Sequence, residues 1–146
     1  QHFNGVGSIT LKIFSPYGLQ EKPHKLIPAL IEKIKNNESM DMTAGEQKLD
    51  YTFVEDIVDA FELSIPFVMK TERYEAFNIG SGNAVSLKEL IETVANLRQK
   101  KSLINFGAKP YAHNELMFVQ ADITKARGLL NWSPKHLLTE GLKKIL

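Results

Sequence analysis

The spacing of apolar residues changes several times along the chain, and each change marks a predicted element. Residues 8–14 alternate between apolar and polar side chains and are rich in β-branched residues, which is typical of a strand. Residues 24–36 carry apolar side chains at helical spacing, and Pro28 falls in the first turns of this helix, where proline is tolerated. The apolar face of the helix consists of Leu26, Ile27, Leu30, Ile31 and Ile34. A short strand is predicted over residues 39–43, and residues 1–8 are interpreted as the end of an earlier helix.

Residues 45–60 combine a turn, an aromatic β segment and the start of a helix. The β segment is predicted over residues 49–54, after which the apolar spacing becomes helical. The apolar face of this second helix is formed by Val54, Ile57, Val58 and Phe61. Its first turns also carry the carboxylates of Glu55, Asp56 and Asp59, which the positive end of the helix dipole favours. We expect the helix to end at Pro66 or Met69.

A second informative stretch is a short strand over residues 75–79 that runs into Gly-Ser-Gly at residues 80–82. Ser86 and Glu89 have the spacing of a capping box and start the next helix. The apolar stripe of that helix is Leu87, Leu90, Ile91, Val94 and Leu97. A strand, two glycines and a helix are also the parts of a dinucleotide-binding loop. The sixth position of that loop would be Val85 instead of glycine or alanine, so the sequence favours a simple turn.

The remaining elements are short. A strand is predicted over residues 102–106, and Asp122 is placed to cap the start of a short helix. Trp132 is expected in the core with its N–H bonded to one partner. A final helix is predicted over residues 137–142.

Composition describes an ordinary globular domain and excludes several function classes. The chain has 146 residues, 43% hydrophobic and 24% charged, with a net charge of +1 and no cysteine. Such a charge gives no reason to expect nucleic acid, and without cysteine there is no disulfide framework, which suits the cytoplasm. No apolar run approaches the roughly 18 residues of a membrane span. The four histidines lie far apart in the sequence, so no metal site is expected.

Several stretches, taken in order, carry a resemblance to a known family. They are Tyr17-Gly18, Gly-Glu-Gln-Lys-Leu-Asp-Tyr-Thr-Phe-Val-Glu-Asp at residues 45–56, Phe-Asn-Ile-Gly-Ser-Gly at 77–82, Pro-Tyr-Ala-His-Asn-Glu at 110–115, and residues 122–134. Together they resemble the NAD-dependent epimerase/dehydratase family, which comprises extended short-chain dehydrogenases that act on nucleotide sugars. The nearest branch makes deoxy- and dideoxyhexoses for surface polysaccharides, as the CDP-dideoxyhexose synthases and reductases do. The match spans essentially the whole chain but only the C-terminal half of the family's fold.

This resemblance implies an α/β fold, the C-terminal substrate-binding portion of an extended Rossmann-type enzyme, with small mixed sheets and surrounding helices. Residues 1–146 would form one nucleotide-sugar-binding domain, and NAD or NADP would be bound mainly by an N-terminal half that this sequence does not contain. The resemblance places Ser15, Pro16 and Tyr17 at the junction of cofactor and sugar. It places Leu26, Gln47, Leu49, Lys109, Tyr111 and Glu115 along the nucleotide.

The chain departs from the family's pattern in ways that bear on activity. Arginines of the family fall here at Leu49 and Ala112, and the first motif carries Lys12, Ser15 and Leu19 in place of arginine, asparagine and proline. The family's chemistry also needs a Gly-x-x-Gly-x-x-Gly loop and a Tyr-x-x-x-Lys pair, and neither occurs in this sequence. We therefore expect a fragment of a longer enzyme that is inactive by itself.

Two further interpretations stay open. The chain could be a non-catalytic binding or regulatory module that reuses the same half-fold, or a domain with a scaffolding role only. In either case, strands that normally join a larger parallel sheet would expose apolar faces and unpaired edges. The sequence therefore predicts self-association or pairing with an N-terminal half.

Overall fold

The structure is a computed structural model and describes residues 7–100 and 103–146. Within these residues the strands are β1 (Ser8–Ile13), β2 (Pro16–Tyr17), β3 (Met40–Asp41), β4 (Lys48–Leu49), β5 (Thr52–Phe53), β6 (Tyr74–Ile79), β7 (Val85–Ser86), β8 (Ile104–Asn105) and β9 (Phe118–Val119). The helices are α1 (Leu26–Asn36), α2 (Val54–Val68), α3 (Leu87–Leu97), α4 (Thr124–Leu130) and α5 (Leu138–Ile145). Residues 1–6 of the helix end predicted over residues 1–8, and the first residue of the strand predicted at 102–106, lie outside the described residues. Ser8 itself begins β1 instead of ending a helix.

The longest strands, β1 and β6, pair in parallel with Ser8 opposite Tyr74 and Ile13 opposite Ile79. The predictions of both strands are thus confirmed. Helices α2 and α4 pack against this pair and against each other. They bury a set of side chains that we call the sheet core: Ile57, Ala60, Phe77, Ile79, Ala121, Ile123, Ala126, Leu130 and Trp132.

A second cluster, the helical core, lies among α1, α3 and α5. Its buried members are Tyr17, Ile27, Leu30, Ile34, Tyr51, Phe53, Leu87, Leu90, Ile91, Val94, Ala95 and Leu142. The predicted faces of the first and third helices are therefore confirmed. The capping box is confirmed as well, because the Ser86 hydroxyl accepts from the Glu89 N–H at 3.1 Å and the Glu89 carboxylate accepts from the Ser86 N–H at 2.7 Å. These hydrogen bonds hold the pKa of Glu89 below its ordinary value.

The segment predicted as one aromatic strand over residues 49–54 is instead two short strands in different sheets. Strand β4 lies between β7 and β9, antiparallel to the first and parallel to the second, whereas β5 pairs in parallel with β2. Asp50 and Tyr51 separate β4 from β5, and the Asp50 carboxylate is fully buried against residues 81, 82 and 121. The prediction of one continuous strand was wrong because Asp50 turns inward to bond with distant segments. The strand therefore stops at Leu49, and β5 begins in a different sheet.

Helix α2 has the predicted extent but a different buried face. Of the predicted apolar face only Ile57 is buried, whereas Val58 and Phe61 are 49% and 53% exposed. The buried side of the helix passes through Asp56, Ile57, Ala60 and Ser64. The sequence pattern was misleading because a buried aspartate and small residues, which carry little apolar signal, face the sheet core.

Asp56 is also used differently from the prediction. Its carboxylate accepts from the backbone N–H groups of Lys135 and His136 at 3.0 and 3.2 Å, and it contacts Nδ1 of His136 at 2.9 Å. The Asp56 carbonyl accepts from Nε1 of Trp132 at 2.9 Å. The prediction for Trp132 is thus confirmed, and the helix-dipole explanation of Asp56 is replaced by a tertiary contact that fixes residues 132–136 to the start of α2.

Helix α4 begins close to the predicted cap. The Asp122 carboxylate accepts from the Thr124 N–H at 2.9 Å, although Ile123 is the residue directly before the helix. The final helix is confirmed over Leu138–Ile145.

Candidate functional site

The Gly-Ser-Gly turn after β6 is wrapped around Asp50. This carboxylate accepts from the Ser81 N–H at 2.7 Å, the Ser81 hydroxyl at 2.6 Å, and the N–H groups of Gly82 and Ala121 at 3.0 Å each. A Cβ atom on Gly80 would lie 2.3 Å from the Cβ of Ala121, and Gly82 has a φ of +74°, so both glycines are required by the turn. The N–H groups that a dinucleotide loop would direct at phosphate are therefore already used. This turn does not fit the pyrophosphate of NAD(P), in agreement with the sequence interpretation.

A broad depression of about 740 Å³, which we call the large hollow, opens on the surface. It lies beside β2 and the segment that leads into α1. Its lining residues are Ser15, Pro16, Tyr17, Gly18, Leu19, Gln20, Glu21, Lys22, His24, Lys25, Leu26, Ile27, Leu49, Tyr51 and Val54. The hollow thus brings the three residues predicted at the cofactor–sugar junction together with Leu26 and Leu49, predicted on the nucleotide side.

Ser15 and Tyr17 are held by contacts with the rest of the fold. Ser15 has a φ of +21°, uncommon for a residue with a side chain, and its carbonyl accepts from the Thr52 N–H at 3.2 Å. Tyr17 is buried and its hydroxyl donates to the Leu138 carbonyl at 3.3 Å. Burial raises the pKa of Tyr17 well above its ordinary value, and the negative charge of Asp56 adds to this effect. The Tyr17 hydroxyl is therefore bonded within the core, and other atoms of Tyr17 line the large hollow.

A second space, the small hollow of about 290 Å³, adjoins the first. It is lined by Leu26, Asp41, Met42, Thr43, Gln47, Leu49, Tyr51, Leu87, Lys109 and Glu115. The two hollows share Leu26, Leu49 and Tyr51 as a common wall. The structure therefore brings Gln47, Lys109 and Glu115 next to the residues of the large hollow, even though they are far apart in the sequence.

Tyr111 is the predicted site residue that lines neither hollow. Its hydroxyl accepts from the Glu46 N–H at 3.0 Å, so it fastens the loop around residues 107–115 to the turn before β4. Lys109, on the same loop, is held in place because its N–H donates to the Met42 carbonyl at 3.0 Å. The role of Tyr111 in this structure is to position the loop that carries Lys109 and Glu115.

Tyr51 lines both hollows and was not among the predicted site residues. It is buried, and burial raises its pKa to about 12. The sequence held a usable signal, because Tyr51 stands two residues after Leu49, and alternate residues of an extended segment face the same side.

The charges around the two hollows are supplied by lysines and carboxylates. Lys22, His24 and Lys25 border the large hollow and Lys109 the small one, and no arginine is among the described residues that line either. Over residues 7–100 and 103–146, no cluster of His, Asp and Glu is arranged to hold a metal ion. No helix in the same part of the chain is long and apolar enough to cross a membrane.

Comparison with solved structures identifies the type of fold. UDP-glucose 4-epimerase from Thermotoga maritima, solved with UDP-glucose, superposes with a TM-score of 0.84 at 25% identity, over 97% of this chain and 45% of the epimerase. MoeE5, solved with UDP-glucuronic acid and NAD, gives a TM-score of 0.82 at 26% identity, over 94% of this chain and 45% of MoeE5. The fold is therefore the C-terminal part of an extended short-chain dehydrogenase, a class of enzymes that act on nucleotide sugars with NAD(P).

The sequence comparison assigns the family within that class. Residues 2–145 match the model of the GDP-mannose 4,6-dehydratase family, and the chain belongs to this family. It is 33% identical over 138 residues to CDP-abequose synthase of Salmonella muenchen, covering 94% of this chain and 46% of the synthase. It is 35% identical over 144 residues to dTDP-4-dehydro-6-deoxyglucose reductase of Escherichia coli, covering 95% of this chain and 44% of the reductase. The chain thus spans about half the length of the curated relatives it matches, and the resemblance predicted from its motifs is confirmed.

Proposed function

We propose that this chain is the nucleotide-sugar-binding half of an NAD(P)-dependent epimerase, dehydratase or reductase. The observation that carries the proposal is the pair of adjoining hollows, because they collect all but one of the predicted site residues from four separate segments of the chain. The relatives named above act on or bind CDP-, dTDP- and UDP-linked sugars, which supports a nucleoside diphosphate as the recognised group.

The hollows offer apolar surface and positive charge suited to such a ligand. Leu26 and Leu49 provide an apolar wall on which a base or sugar face can pack. Lys22, His24, Lys25 and Lys109 lie around the rim. Lysine binds phosphate as a flexible point charge, in contrast to the bidentate fork of arginine. We infer that the diphosphate is held by lysines instead of the arginines that the family places at Leu49 and Ala112.

We further propose that the chain is not catalytic by itself. Hydride transfer requires a bound NAD(P), and in the Gly-Ser-Gly turn at residues 80–82 the N–H groups that could bind its phosphates are bonded to Asp50. In the family the proton is transferred by a tyrosine whose pKa a lysine lowers, whereas the pKa values of Tyr17 and Tyr51 at the hollows are both raised. The cofactor would therefore be bound mainly by a separate N-terminal half, with Ser15, Pro16 and Tyr17 near the place where the two ligands meet.

A thermal-shift screen tests the binding function. We expect one of CDP, UDP, dTDP and GDP, or its hexose conjugate, to raise the unfolding midpoint, while NAD and NADP do not, because a ligand that binds only the folded state stabilises it. The variant Lys109→Gln should bind the same nucleotide about tenfold more weakly, the equivalent of one lost charged hydrogen bond. Lys143→Gln, which removes a lysine outside both hollows, is the matched control and should bind as the parent chain does.

A screen in which no nucleotide changes the midpoint would contradict the proposal for this chain. Binding that Lys109→Gln leaves unaltered would place the ligand outside the small hollow.

An exposed surface on α2 supports pairing with another protein half. Its residues Val54, Val58, Phe61 and Ile65, which we call the α2 stripe, follow helical spacing and are all exposed. In the described part of the chain, β1 and β6 form a sheet of two strands, so each has a free edge. Parallel sheets are ordinarily covered on both faces and extend over more strands. We propose that the stripe and the free edge of β1 are covered by the cofactor-binding half, or by a second copy when that half is missing.

Light scattering measures this pairing directly. The chain alone should show an apparent mass that rises with concentration, and the double variant Val58→Ser, Phe61→Ser should lower that mass towards the monomer. Leu116→Ser removes an even more exposed apolar side chain elsewhere and serves as the control. A stable monomer at every concentration would disprove the proposed pairing surface.

The absence of arginine among the described lining residues favours a second candidate, a non-catalytic binding or regulatory module. Such a module would bind nucleotide sugar without an N-terminal half. Adding a separately expressed cofactor-binding half from a relative distinguishes the two, because only the enzyme half should gain activity in the mixture.

A further inference from the structure

The hydroxyl of Tyr51 differs from the other tyrosine hydroxyls of the chain. Those of Tyr17, Tyr74 and Tyr111 each have a hydrogen-bond partner, respectively the Leu138 carbonyl at 3.3 Å, the Thr10 hydroxyl at 3.2 Å and the Glu46 N–H at 3.0 Å. The Tyr51 side chain is only 7% exposed, and its hydroxyl oxygen is buried without any partner among the described residues. Buried polar groups without a partner are rare in folded proteins, and each one calls for an explanation.

The position of Tyr51 suggests what the missing partner is. Its side chain lies in the wall that the large and small hollows share, next to Leu26 and Leu49. It also borders a narrow cleft of about 110 Å³ formed by residues 81–85 and 134–138. In that cleft the Ser81 hydroxyl is bonded to Asp50 and the His136 ring to Asp56, so these groups are already satisfied.

Apart from Tyr51, the shared wall is apolar. Leu49, two residues before Tyr51, has no donor to offer, and neither has Leu26. A polar atom of a ligand that spans both hollows passes this wall, and Tyr51 is the one neutral donor there. A hydroxyl buried in apolar surroundings discriminates strongly for a ligand that supplies the acceptor, because without the ligand it stays unpaired.

We propose that Tyr51 is a specificity-determining residue whose hydroxyl donates a hydrogen bond to an acceptor oxygen of the bound nucleotide. This inference rests on the proposed nucleotide-binding function. A phosphate oxygen and a carbonyl oxygen of the base have the same acceptor chemistry, and the experiment below separates them.

The test is Tyr51→Phe, which removes the hydroxyl and keeps the ring. Isothermal titration with CDP, UDP, dTDP and GDP should show about tenfold weaker binding of the recognised nucleotide, the usual effect of one hydrogen bond from a buried donor. Tyr74→Phe, which removes a hydroxyl far from the hollows, should bind as the parent chain does. If the partner is a phosphate oxygen, the corresponding nucleoside should bind both Tyr51 forms equally; if it is a base carbonyl, the nucleoside should show the same loss.

The ligand-free chain provides a second, independent measurement. Because the hydroxyl has no partner within the protein, Tyr51→Phe should leave the unfolding midpoint unchanged or raise it. A lowered midpoint would show that the hydroxyl is bonded within the fold and would overturn the inference.

Equal nucleotide affinity of the parent chain and Tyr51→Phe would overturn this inference alone. A parent chain that binds none of the four nucleotides would instead refute the proposed function, and the role of Tyr51 would be refuted with it.

Discussion

Replacing Asp50 with alanine is expected to destabilise the chain by about 3–5 kcal/mol, because the partners of a buried charged group would be left unsatisfied. Asp50 is completely buried and accepts four hydrogen bonds, three from backbone N–H groups. In Asp50→Ala the N–H groups of Ser81, Gly82 and Ala121 lose their acceptor, and Ala121 is buried. Urea unfolding followed by circular dichroism measures the change in the free energy of unfolding.

Two further variants make the result specific to Asp50. Asp50→Asn keeps the volume but offers one acceptor oxygen in place of two, so its loss should be smaller yet still substantial. Asp59→Ala breaks an ion pair with Lys135 whose partners are partly to largely exposed, and should change stability by less than about 1 kcal/mol. If Asp50→Ala were as mild as Asp59→Ala, the turn at residues 80–82 would not depend on this carboxylate.

Trp132→Ala is expected to cost about 3–5 kcal/mol, the range for removing a large aromatic side chain from a core. The Trp132 side chain is 1% exposed and fills the sheet core, and its N–H is bonded to the carbonyl of Asp56. The substitution leaves a large cavity and also releases the contact between residues 132–136 and the start of α2.

Trp132→Phe separates the two effects. It retains most of the ring volume and loses the hydrogen bond, so about 1–2 kcal/mol is expected from the lost hydrogen bond and the small void. Leu129→Ala removes an exposed apolar side chain from helix α4, which ends two residues before Trp132, and should stay within about 0.5 kcal/mol of the parent chain. A loss in Leu129→Ala equal to that in Trp132→Ala would mean that general weakening of α4, not the sheet core, determines the effect.

Local patterns predicted those elements whose apolar residues repeat with one period. The strands β1 and β6 and the helices α1 and α3 have such patterns, and the structure confirms these elements and the buried faces of the two helices. The prediction failed where polar residues are buried. Asp50 divides a predicted strand, and Asp56 lies on the buried side of α2, because each carboxylate is bonded to segments that follow much later in the sequence. No local pattern encodes such long-range partners.

In the candidate site, too, the sequence predicted some features and missed others. Motif order was sufficient to name residues around both hollows, since the resemblance already contains the family's three-dimensional arrangement. It could not show that the Tyr111 hydroxyl fastens a loop, that Tyr17 donates into the core, or that Tyr51 has a buried unpaired hydroxyl. These three features depend on the orientation of each tyrosine side chain in the folded protein. The sequence alone does not specify that orientation.

The position of Trp132 also determines what optical measurements of unfolding can report. Trp132 is the only tryptophan of the chain and belongs to the sheet core, so selectively excited tryptophan fluorescence reports on that core. The helical signal in circular dichroism arises from both cores, because α1 and α3 belong to one and α2 to the other. Coincident fluorescence and dichroism curves would therefore demonstrate that the two cores unfold as one cooperative unit. If the two curves separate, a fluorescence change that comes first would show that the sheet core unfolds before the helical core. A dichroism change that comes first would show the reverse order.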